Sequence, residues 1–238
     1  MTEVVELWLY LSSTPLFGLA ATLVVYVLVQ AVYQRLGQPP WANPVLWSVV
    51  LLGAALSLTA TPYPRYFAGA QFIHVLLGPA VVALAWPLWQ RRQVLRKQGL
   101  RLLLAALVGG LAAAGSAVAL GAWMGLPDAV LASLAPKSVT APVAMGLAGR
   151  LGGEPALAAV FAVLTGIIGA VSARGLFRLL RVNPVTAQGF ALGTVSHGIG
   201  AARALQVEAD AGAYAALALA LQVLLTSLWL PWAWLLLG

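Results

Sequence analysis

The sequence predicts an all-α, polytopic integral membrane protein with about seven to eight apolar segments. Of the 238 residues, 62% are hydrophobic and only 8% are charged, whereas a soluble domain carries about 25% charged residues. So few charged side chains cannot cover a water-facing surface, which excludes a soluble enzyme, a secreted binding module and a disordered regulator. At about 20 residues for each spanning helix, the length allows this number of segments joined by short loops.

Apolar windows define the expected segments, and breaks rich in proline or glycine separate them. Tryptophan and tyrosine gather near the window ends, where amphipathic rings settle at the headgroup level of a bilayer. We expect residues 1–238 to form a single transmembrane domain. The windows are residues 16–34, 43–61, 70–90, 102–125, 128–148, 155–173, 187–206 and 212–237.

The net charge of +7 comes largely from two basic clusters between apolar windows, one from Arg91 to Arg101 and one from Arg174 to Arg181. Basic loops of this kind set membrane orientation, because Lys and Arg are retained on the cytoplasmic side. This interpretation is favoured over nucleic-acid binding. We therefore expect the lipid bilayer, and no nucleic acid, as the partner of this charge.

The two clusters also constrain the topology. If both are cytoplasmic, the chain between Arg101 and Arg174 crosses the bilayer an even number of times, although three apolar windows lie there. Pro136 and Pro142 interrupt the middle window, residues 128–148. Because proline removes a helix hydrogen bond and clashes with the preceding turn, we expect a re-entrant hairpin or a broken helix at this point.

The segment around Lys137 is poorly suited to lipid. A lysine at the centre of a spanning helix costs about 2.5–3.5 kcal/mol, and irregular backbone is tolerated at membrane depth only where protein or a water-filled cavity surrounds it. Lys137, with the hydroxyls of Ser138 and Thr140 beside it, is therefore a candidate anion-binding group. The alternative is a lysine that snorkels from a short loop to the membrane interface.

Residues 189–203 form a second unusual stretch, with four glycines, a histidine and an arginine. Small residues at this density let helix backbones approach closely, so we expect the stretch to pack inside the bundle and to contain a helix break. Alternatives remain for two of its residues. His197 is either a functional group or an interior histidine bonded to a neighbouring carbonyl, and Arg203 is either functional or an interfacial anchor.

Broken helices near the midplane direct free N–H groups and helix dipoles at anionic substrates, so these segments favour a carrier for a small anion. We expect the helix breaks at Pro79, Pro136, Pro142, Gly193 and Gly200. The candidate substrate-binding residues are Lys137, Ser138, Thr140, Thr194, Ser196, His197, Gly198 and Arg203.

The sequence does not predict an enzyme, a cofactor or a metal site. Cysteine is absent and all six carboxylates lie at window ends, which argues against an intramembrane aspartyl protease. Ser196 and His197 are adjacent, and adjacent residues on a helix do not face each other, so this pair does not predict a serine protease. A cation channel would need rings of carboxylates or carbonyls instead.

Three ordered motifs resemble those of the LrgB/CidB family, whose signatures read LLGPATVALA, LPKSVTTPIA and ALGTASHAIGT. Ala135, Ala141 and Ala201 depart from the family pattern, which has a leucine and two threonines at these positions, and loss of the hydroxyls would alter substrate preference. The matching stretches here are LLGPAVVALA (76–85), LAPKSVTAPVA (134–144) and ALGTVSHGIG (191–200).

The resemblance implies two functions. Bacterial members are named as antiholin-like regulators of murein hydrolase activity that act with a small LrgA-like membrane partner. Plastid members are glycolate/glycerate translocators, and bacterial relatives are associated with pyruvate. We expect a carrier for small monocarboxylates in the bacterial cytoplasmic (inner) membrane, with a homo-oligomer as a further expectation, because a pore regulator has little use for a lysine and a histidine held at helix breaks. Murein hydrolase regulation is the alternative.

Each candidate group has an expected role in such a carrier. The lysine and its two hydroxyl neighbours bind the substrate carboxylate, and Thr194 and Ser196 take a 2-hydroxyl or keto oxygen. His197, with an ordinary pKa of about 6.5, is the expected proton carrier. An inside-negative potential of about 100 mV opposes a monoanion by about 2.3 kcal/mol, and one proton per carboxylate removes this penalty during uptake. Sodium coupling is an alternative.

Overall fold

The computed structural model describes residues 16–76, 79, 82 and 85–237. All the regular secondary structure in these residues is helical, which confirms the all-α prediction. The chain divides into two compact units, Met1–Ala80 and Val81–Gly238, and each is described by itself. The expectation of a single transmembrane domain over residues 1–238 stays a prediction.

The first unit is helical throughout its described elements. Asn43 caps the second helix, because its side chain accepts hydrogen bonds from the N–H groups of Val45 at 2.9 Å and Leu46 at 3.3 Å, which satisfies two otherwise free donors. The first helix packs on the other two, and the hydroxyls of Thr22 and Tyr66 lie 2.7 Å apart at one of these contacts. The helices are α1 (Phe17–Arg35), α2 (Pro44–Leu58) and α3 (Tyr63–Val75), with a short 3-10 turn at Pro40–Ala42.

The second unit holds both segments that the sequence marks as unsuited to lipid. Its core is rich in alanine, for example the fully buried Ala148, Ala158 and Ala162, so its helices approach each other closely. The most extensive contact joins the last two helices. The helices are α4 (Ala85–Gln90), α5 (Arg92–Trp123), α6 (Asp128–Leu134), α7 (Ala141–Arg150), α8 (Pro155–Leu179), α9 (Val185–Val207) and α10 (Ala209–Leu237).

Four described helices are long and apolar enough to cross a membrane by length and composition, namely α1, α5, α8 and α10. They expose large apolar side chains such as Val27, Val108 and Ile168, as expected for surfaces that face lipid. The expected seven to eight crossing segments are not confirmed. Of the other four apolar windows, residues 43–61 and 128–148 form shorter helices and residues 70–90 are described only in part. Residues 187–206 lie in α9, which is long enough but is not among the candidate spans.

The chain between Arg101 and Arg174 contains two of the candidate spans, α5 and α8. This even number is the one that two cytoplasmic basic clusters require. Between them lie α6, of 7 residues, and α7, of 10 residues. At about 1.5 Å per residue, neither reaches across a hydrocarbon core of about 30 Å. The predicted interruption of residues 128–148 is therefore confirmed, and a re-entrant path for it stays a prediction.

The helix break expected at Pro79 lies in a window that the structure describes only in part. Residues 77, 78, 80, 81, 83 and 84 fall outside the described residues. Because the neighbours of Pro79 on both sides belong to this group, the break at this position stays a prediction.

Candidate functional site

Lys137 lies in the non-helical turn that joins α6 to α7. Pro136 is buried within this turn, and its carbonyl accepts a hydrogen bond from the N–H of Val139 at 3.1 Å. Pro142, expected as a second break, instead lies in the first turn of α7. A proline is favourable there, since its missing N–H would have had no partner within the helix. One proline therefore shapes the turn, and the other starts the next helix.

The same turn contains two buried hydroxyls. Ser138 is only 4% exposed, and neither its Oγ nor the Oγ1 of Thr140 has a hydrogen-bond partner among the described residues. Leaving a buried polar atom unsatisfied costs about 1–3 kcal/mol. Such a cost beside a half-buried lysine marks this turn as a candidate functional site rather than a simple connection.

Lys137 lines a cavity of about 360 Å³, which we term the lysine cavity. Residues from α8 and α9 form its other walls, and most of them are apolar. Its further polar side chains are Thr165 and Ser172 of α8 and Ser196 of α9. A few convergent polar groups in a largely apolar pocket are typical of a small-molecule site. The cavity thus combines one amine with hydroxyls from two other helices.

The second predicted discontinuity, in residues 187–206, is also confirmed. The backbone of His197 has φ 41° and ψ −134° inside the otherwise helical α9. A residue with a side chain in this region carries strain of about 1–3 kcal/mol, and such strain is concentrated at functional sites. The break falls on the histidine and not on Gly193 or Gly200, which keep helical backbone.

Packing explains why the two glycines do not form the break. A Cβ atom on Gly193 would collide with the carbonyl of Ala215 in α10, so this glycine lets the two helices touch. A Cβ atom on Gly200 would lie 2.7 Å from the carbonyl oxygen of Leu192. Gly198 is exposed and has open space around it. Gly193 and Gly200 therefore provide close approach, and the chain bends at the residue between them.

The His197 side chain is held against α8. It is 5% exposed, and its Nε2 lies 2.7 Å from the carbonyl oxygen of Ala162. Because a carbonyl only accepts hydrogen bonds, Nε2 carries the proton, and the neutral ring then has Nδ1 as its acceptor nitrogen. One sequence alternative was an interior histidine bonded to a neighbouring carbonyl. The hydrogen bond of Nε2 fits that alternative, whereas Nδ1 is not used in this bond.

Two glycines of α8 make room for the α9 break. A Cβ atom on Gly166 would lie 2.8 Å from Cε1 of His197, and one on Gly169 would collide with Oγ of Ser196. Positions three apart lie on the same helix face. The α8 backbone is therefore pressed against the break, and Ser196 and His197 are placed by this contact.

The structure brings some candidate residues together and separates others. Lys137 and Ser196 line the same cavity. Thr194 is buried on another side of α9, where its Oγ1 donates to the carbonyl one turn earlier at 2.9 Å and its methyl group lies beside Gly109 of α5. Arg203 lines a different cavity, of about 490 Å³. The eight candidates thus do not form one cluster.

Sequence reasoning missed Thr165 and Ser172. With Gly169, they occupy positions i, i+4 and i+7 of α8, so they share one helix face. The length and hydropathy of α8 predict an ordinary membrane span, and this prediction assigns no function to its two hydroxyls. The available signal was this stripe of small and hydroxyl residues within an apolar window, which is typical of a face turned towards other helices.

Comparison with known proteins decides the family. The LrgB-like family matches residues 22–236, a range that includes both the lysine-bearing turn and the α9 break. The chain belongs to the LrgB-like family. The match confirms the resemblance seen in the three sequence motifs. Together with the long apolar helices, it establishes a multi-pass membrane protein of the LrgB/CidB type.

Relatives of this LrgB-like chain align over most of their length. YwbG of Bacillus subtilis (strain 168) is 33% identical over 209 residues, which cover 88% of this chain and 92% of the relative. YxaC of the same organism is 35% identical over 185 residues, or 78% and 80% of the two chains. The holin-like protein CidB of Staphylococcus aureus (strain Mu50) is 28% identical over 211 residues, or 88% and 91%. No solved structure matches the chain.

Proposed function

We propose that the protein is a non-enzymatic membrane carrier for small monocarboxylates of the glycolate, glycerate or pyruvate type. One observation carries the proposal: Lys137, at a helix break, lines a cavity with three hydroxyls from α8 and α9. A carboxylate is bound most strongly by charge-assisted hydrogen bonds. A 2-hydroxyl or keto oxygen needs neutral partners close by. The lysine cavity offers both kinds of group.

The size of the cavity suits this substrate class. Its volume of about 360 Å³ is large compared with the roughly 30 Å³ that a water molecule occupies in the liquid. A two- or three-carbon acid therefore fits, together with several waters. Side chains such as Ile168 and Leu176 form much of the wall, and they disfavour large, strongly polar solutes.

Each polar group has a role in the proposal. The Nζ of Lys137 binds the carboxylate. The buried hydroxyls of Ser138 and Thr140 lie in the same turn without a hydrogen-bond partner, and since neither residue lines the lysine cavity, they reach the substrate only when the turn moves. Ser196 takes the 2-hydroxyl or keto oxygen, with help from Thr165. Thr194 and Gly198 act on the conformation of the α9 break, since neither is among the residues that line the lysine cavity.

His197 is the proposed proton carrier. Its Nε2 is fixed by the Ala162 carbonyl, so an added proton goes to Nδ1 and charges the ring at the strained position of α9. Without coupling, a potential of about 100 mV holds a monoanion roughly fiftyfold below its outside concentration. A proton moved with each carboxylate removes this barrier to uptake.

The test is counterflow of radiolabelled glycolate and pyruvate in proteoliposomes that contain the purified protein. We expect saturable counterflow, and uptake that increases when the outside is made more acidic than the lumen. Empty vesicles give the background. Flux that does not saturate, or that shows no counterflow, would contradict a carrier.

A second candidate function is regulation of murein hydrolase activity in the bacterial cytoplasmic membrane, together with an LrgA-like partner. The observation in its favour is the name of the Staphylococcus aureus relative, a holin-like protein. This function requires release of larger solutes or altered lysis rather than saturable flux of a small acid. The counterflow experiment therefore separates the two.

A further inference from the structure

Another cavity of this unit is lined by three arginines, and we term it the arginine vestibule. Arg174 and Arg178 come from α8 and Arg203 from α9. Its volume is about 490 Å³, and Asn183 and Gln188 add amide groups to its wall. No Asp or Glu is among its described lining residues. The vestibule is therefore a concave surface whose charged groups are all positive.

The acidic residues that follow the vestibule in sequence lie outside its wall. Glu208 and Asp210 follow Val207, which lines the vestibule, but neither carboxylate is part of the wall. Asp210 instead lies 3.7 Å from Arg91. Gln188, in the first turn of α9, is part of the wall, and this helix start has no side-chain cap. The N-terminal end of a helix dipole is positive, so it adds to the positive potential.

The vestibule adjoins the lysine cavity. Ala173, Phe177 and Leu192 line both of them, so these three side chains form a shared wall. Phe177 is half-buried and is the largest of the three. On one side of this wall lie three guanidinium groups, and on the other side lies Lys137. Cationic groups thus follow one another along the α8–α9 interface.

We propose that the arginine vestibule is a second anion-binding site, which exchanges the substrate carboxylate with the Lys137 site past Phe177. This inference rests on the proposed carrier function. The planar guanidinium fork matches a carboxylate in a bidentate geometry, and a cleft lined by one sign of charge raises the local concentration of counter-ions. The phosphate of an anionic lipid shares this chemistry, so the experiment distinguishes the two sources.

The experiment measures glycolate counterflow in phosphatidylcholine vesicles for two double variants. Arg174→Gln with Arg178→Gln removes two vestibule charges, and Arg96→Gln with Arg101→Gln removes the same charge from exposed positions of α5. We expect the vestibule variant to raise the half-saturating glycolate concentration about fivefold, with little change in maximal flux and a weaker dependence on salt. The α5 variant should behave as the unmodified protein.

The possible results distinguish the vestibule proposal from the carrier function and from lipid binding. Equal behaviour of the two double variants would overturn the vestibule and leave the carrier function standing, whereas absence of saturable flux in the unmodified protein would overturn both. A transport defect that appears only after phosphatidylglycerol is added would show that the arginines bind the lipid phosphate, and it would overturn the proposal that they bind the substrate carboxylate. Replacement of Arg174 and Arg178 by lysine keeps the charge but not the bidentate fork, so it should restore part of the affinity and the salt dependence. If the glutamine pair does not elute as a single species in size-exclusion chromatography, Arg178→Gln alone replaces it, with a proportionally smaller shift expected.

Discussion

Lys137 and Ser196 line the same cavity, although one lies in the turn between two short helices and the other comes directly before the strained residue of α9. Two interruptions of helical structure therefore meet at one site. Irregular backbone inside a membrane protein persists where it lines a cavity, and many carriers bind substrate at such interruptions. The two helix breaks cost backbone hydrogen bonds and strain, and they are also what places the amine of Lys137 and the hydroxyl of Ser196 in one cavity.

The first prediction concerns the charge at this site. Lys137→Met removes the amine and keeps an unbranched side chain of similar length. Loss of a hydrogen bond to a charged group costs about 1.5–3 kcal/mol, so we expect the half-saturating concentration of glycolate to rise roughly 10- to 100-fold in counterflow. Lys97, exposed near the start of α5, is the other lysine of the chain. Lys97→Met is the matched control and should leave flux unchanged. Normal affinity in Lys137→Met would refute the assignment.

The second prediction concerns the contact of α8 with the α9 break. Gly169→Ala places a methyl group where Oγ of Ser196 lies, whereas Gly175→Ala on the same helix meets open space. Overpacking costs about 1–3 kcal/mol, and alanine at the open position gains about 0.5–1 kcal/mol of helix stability. We expect Gly169→Ala to lower the midpoint of thermal unfolding in detergent and to weaken flux, and Gly175→Ala to raise the midpoint. Equal midpoints would mean that α8 does not press on Ser196.

Local chemistry made part of this site predictable. Pro136 and Lys137 violate the rules for a lipid-facing helix within two adjacent residues, so the break between α6 and α7 was visible in the sequence. The density of small residues in 189–203 likewise predicted a packed and interrupted helix. In both cases the signal is local. A residue whose backbone groups lack hydrogen-bond partners, or whose charge is not solvated, is unfavourable in lipid regardless of which helices pack together.

The remainder depends on which helices touch. His197 forms the break of α9 while Gly193 and Gly200 do not, because Gly193 is needed against α10 and the imidazole is held by the Ala162 carbonyl of α8. The role of Thr165 became visible only once α8 was placed beside α9. A propensity scale favours glycine as the breaking residue, and only the tertiary contacts reverse that choice.

The third prediction concerns substrate discrimination. Ser196→Ala removes the hydroxyl that we assign to the 2-hydroxyl of the substrate. A neutral hydrogen bond contributes about 0.5–1.5 kcal/mol, so the preference for glycolate over acetate should fall roughly two- to tenfold. The measurement is the ratio of half-saturating concentrations for the two acids, which cancels any general loss of active protein. Ser116→Ala, at an exposed position of α5, should keep the ratio. An unchanged ratio in Ser196→Ala would place the 2-hydroxyl elsewhere.

The fourth prediction separates the backbone role of His197 from its side-chain role. At φ 41° a Cβ atom is unfavourable by about 1–2 kcal/mol, and glycine avoids this cost. His197→Gly and His197→Ala both remove the hydrogen bond to Ala162. We therefore expect the alanine variant to unfold at a lower temperature than the glycine variant, which is the reverse of their order inside an ordinary helix.

The same pair of variants tests the proton carrier. Because neither contains an imidazole, both should lose the stimulation of uptake by an acidic exterior, whatever their difference in stability. Counterflow without a gradient should persist in the glycine variant, since the break in α9 is retained and Lys137 is untouched. Stimulation by a pH gradient that survives in His197→Gly would rule out this residue as the carrier of the proton. A more stable alanine variant would instead show that the positive φ is not held at this position, because alanine is favoured over glycine where φ is negative, as in a helix.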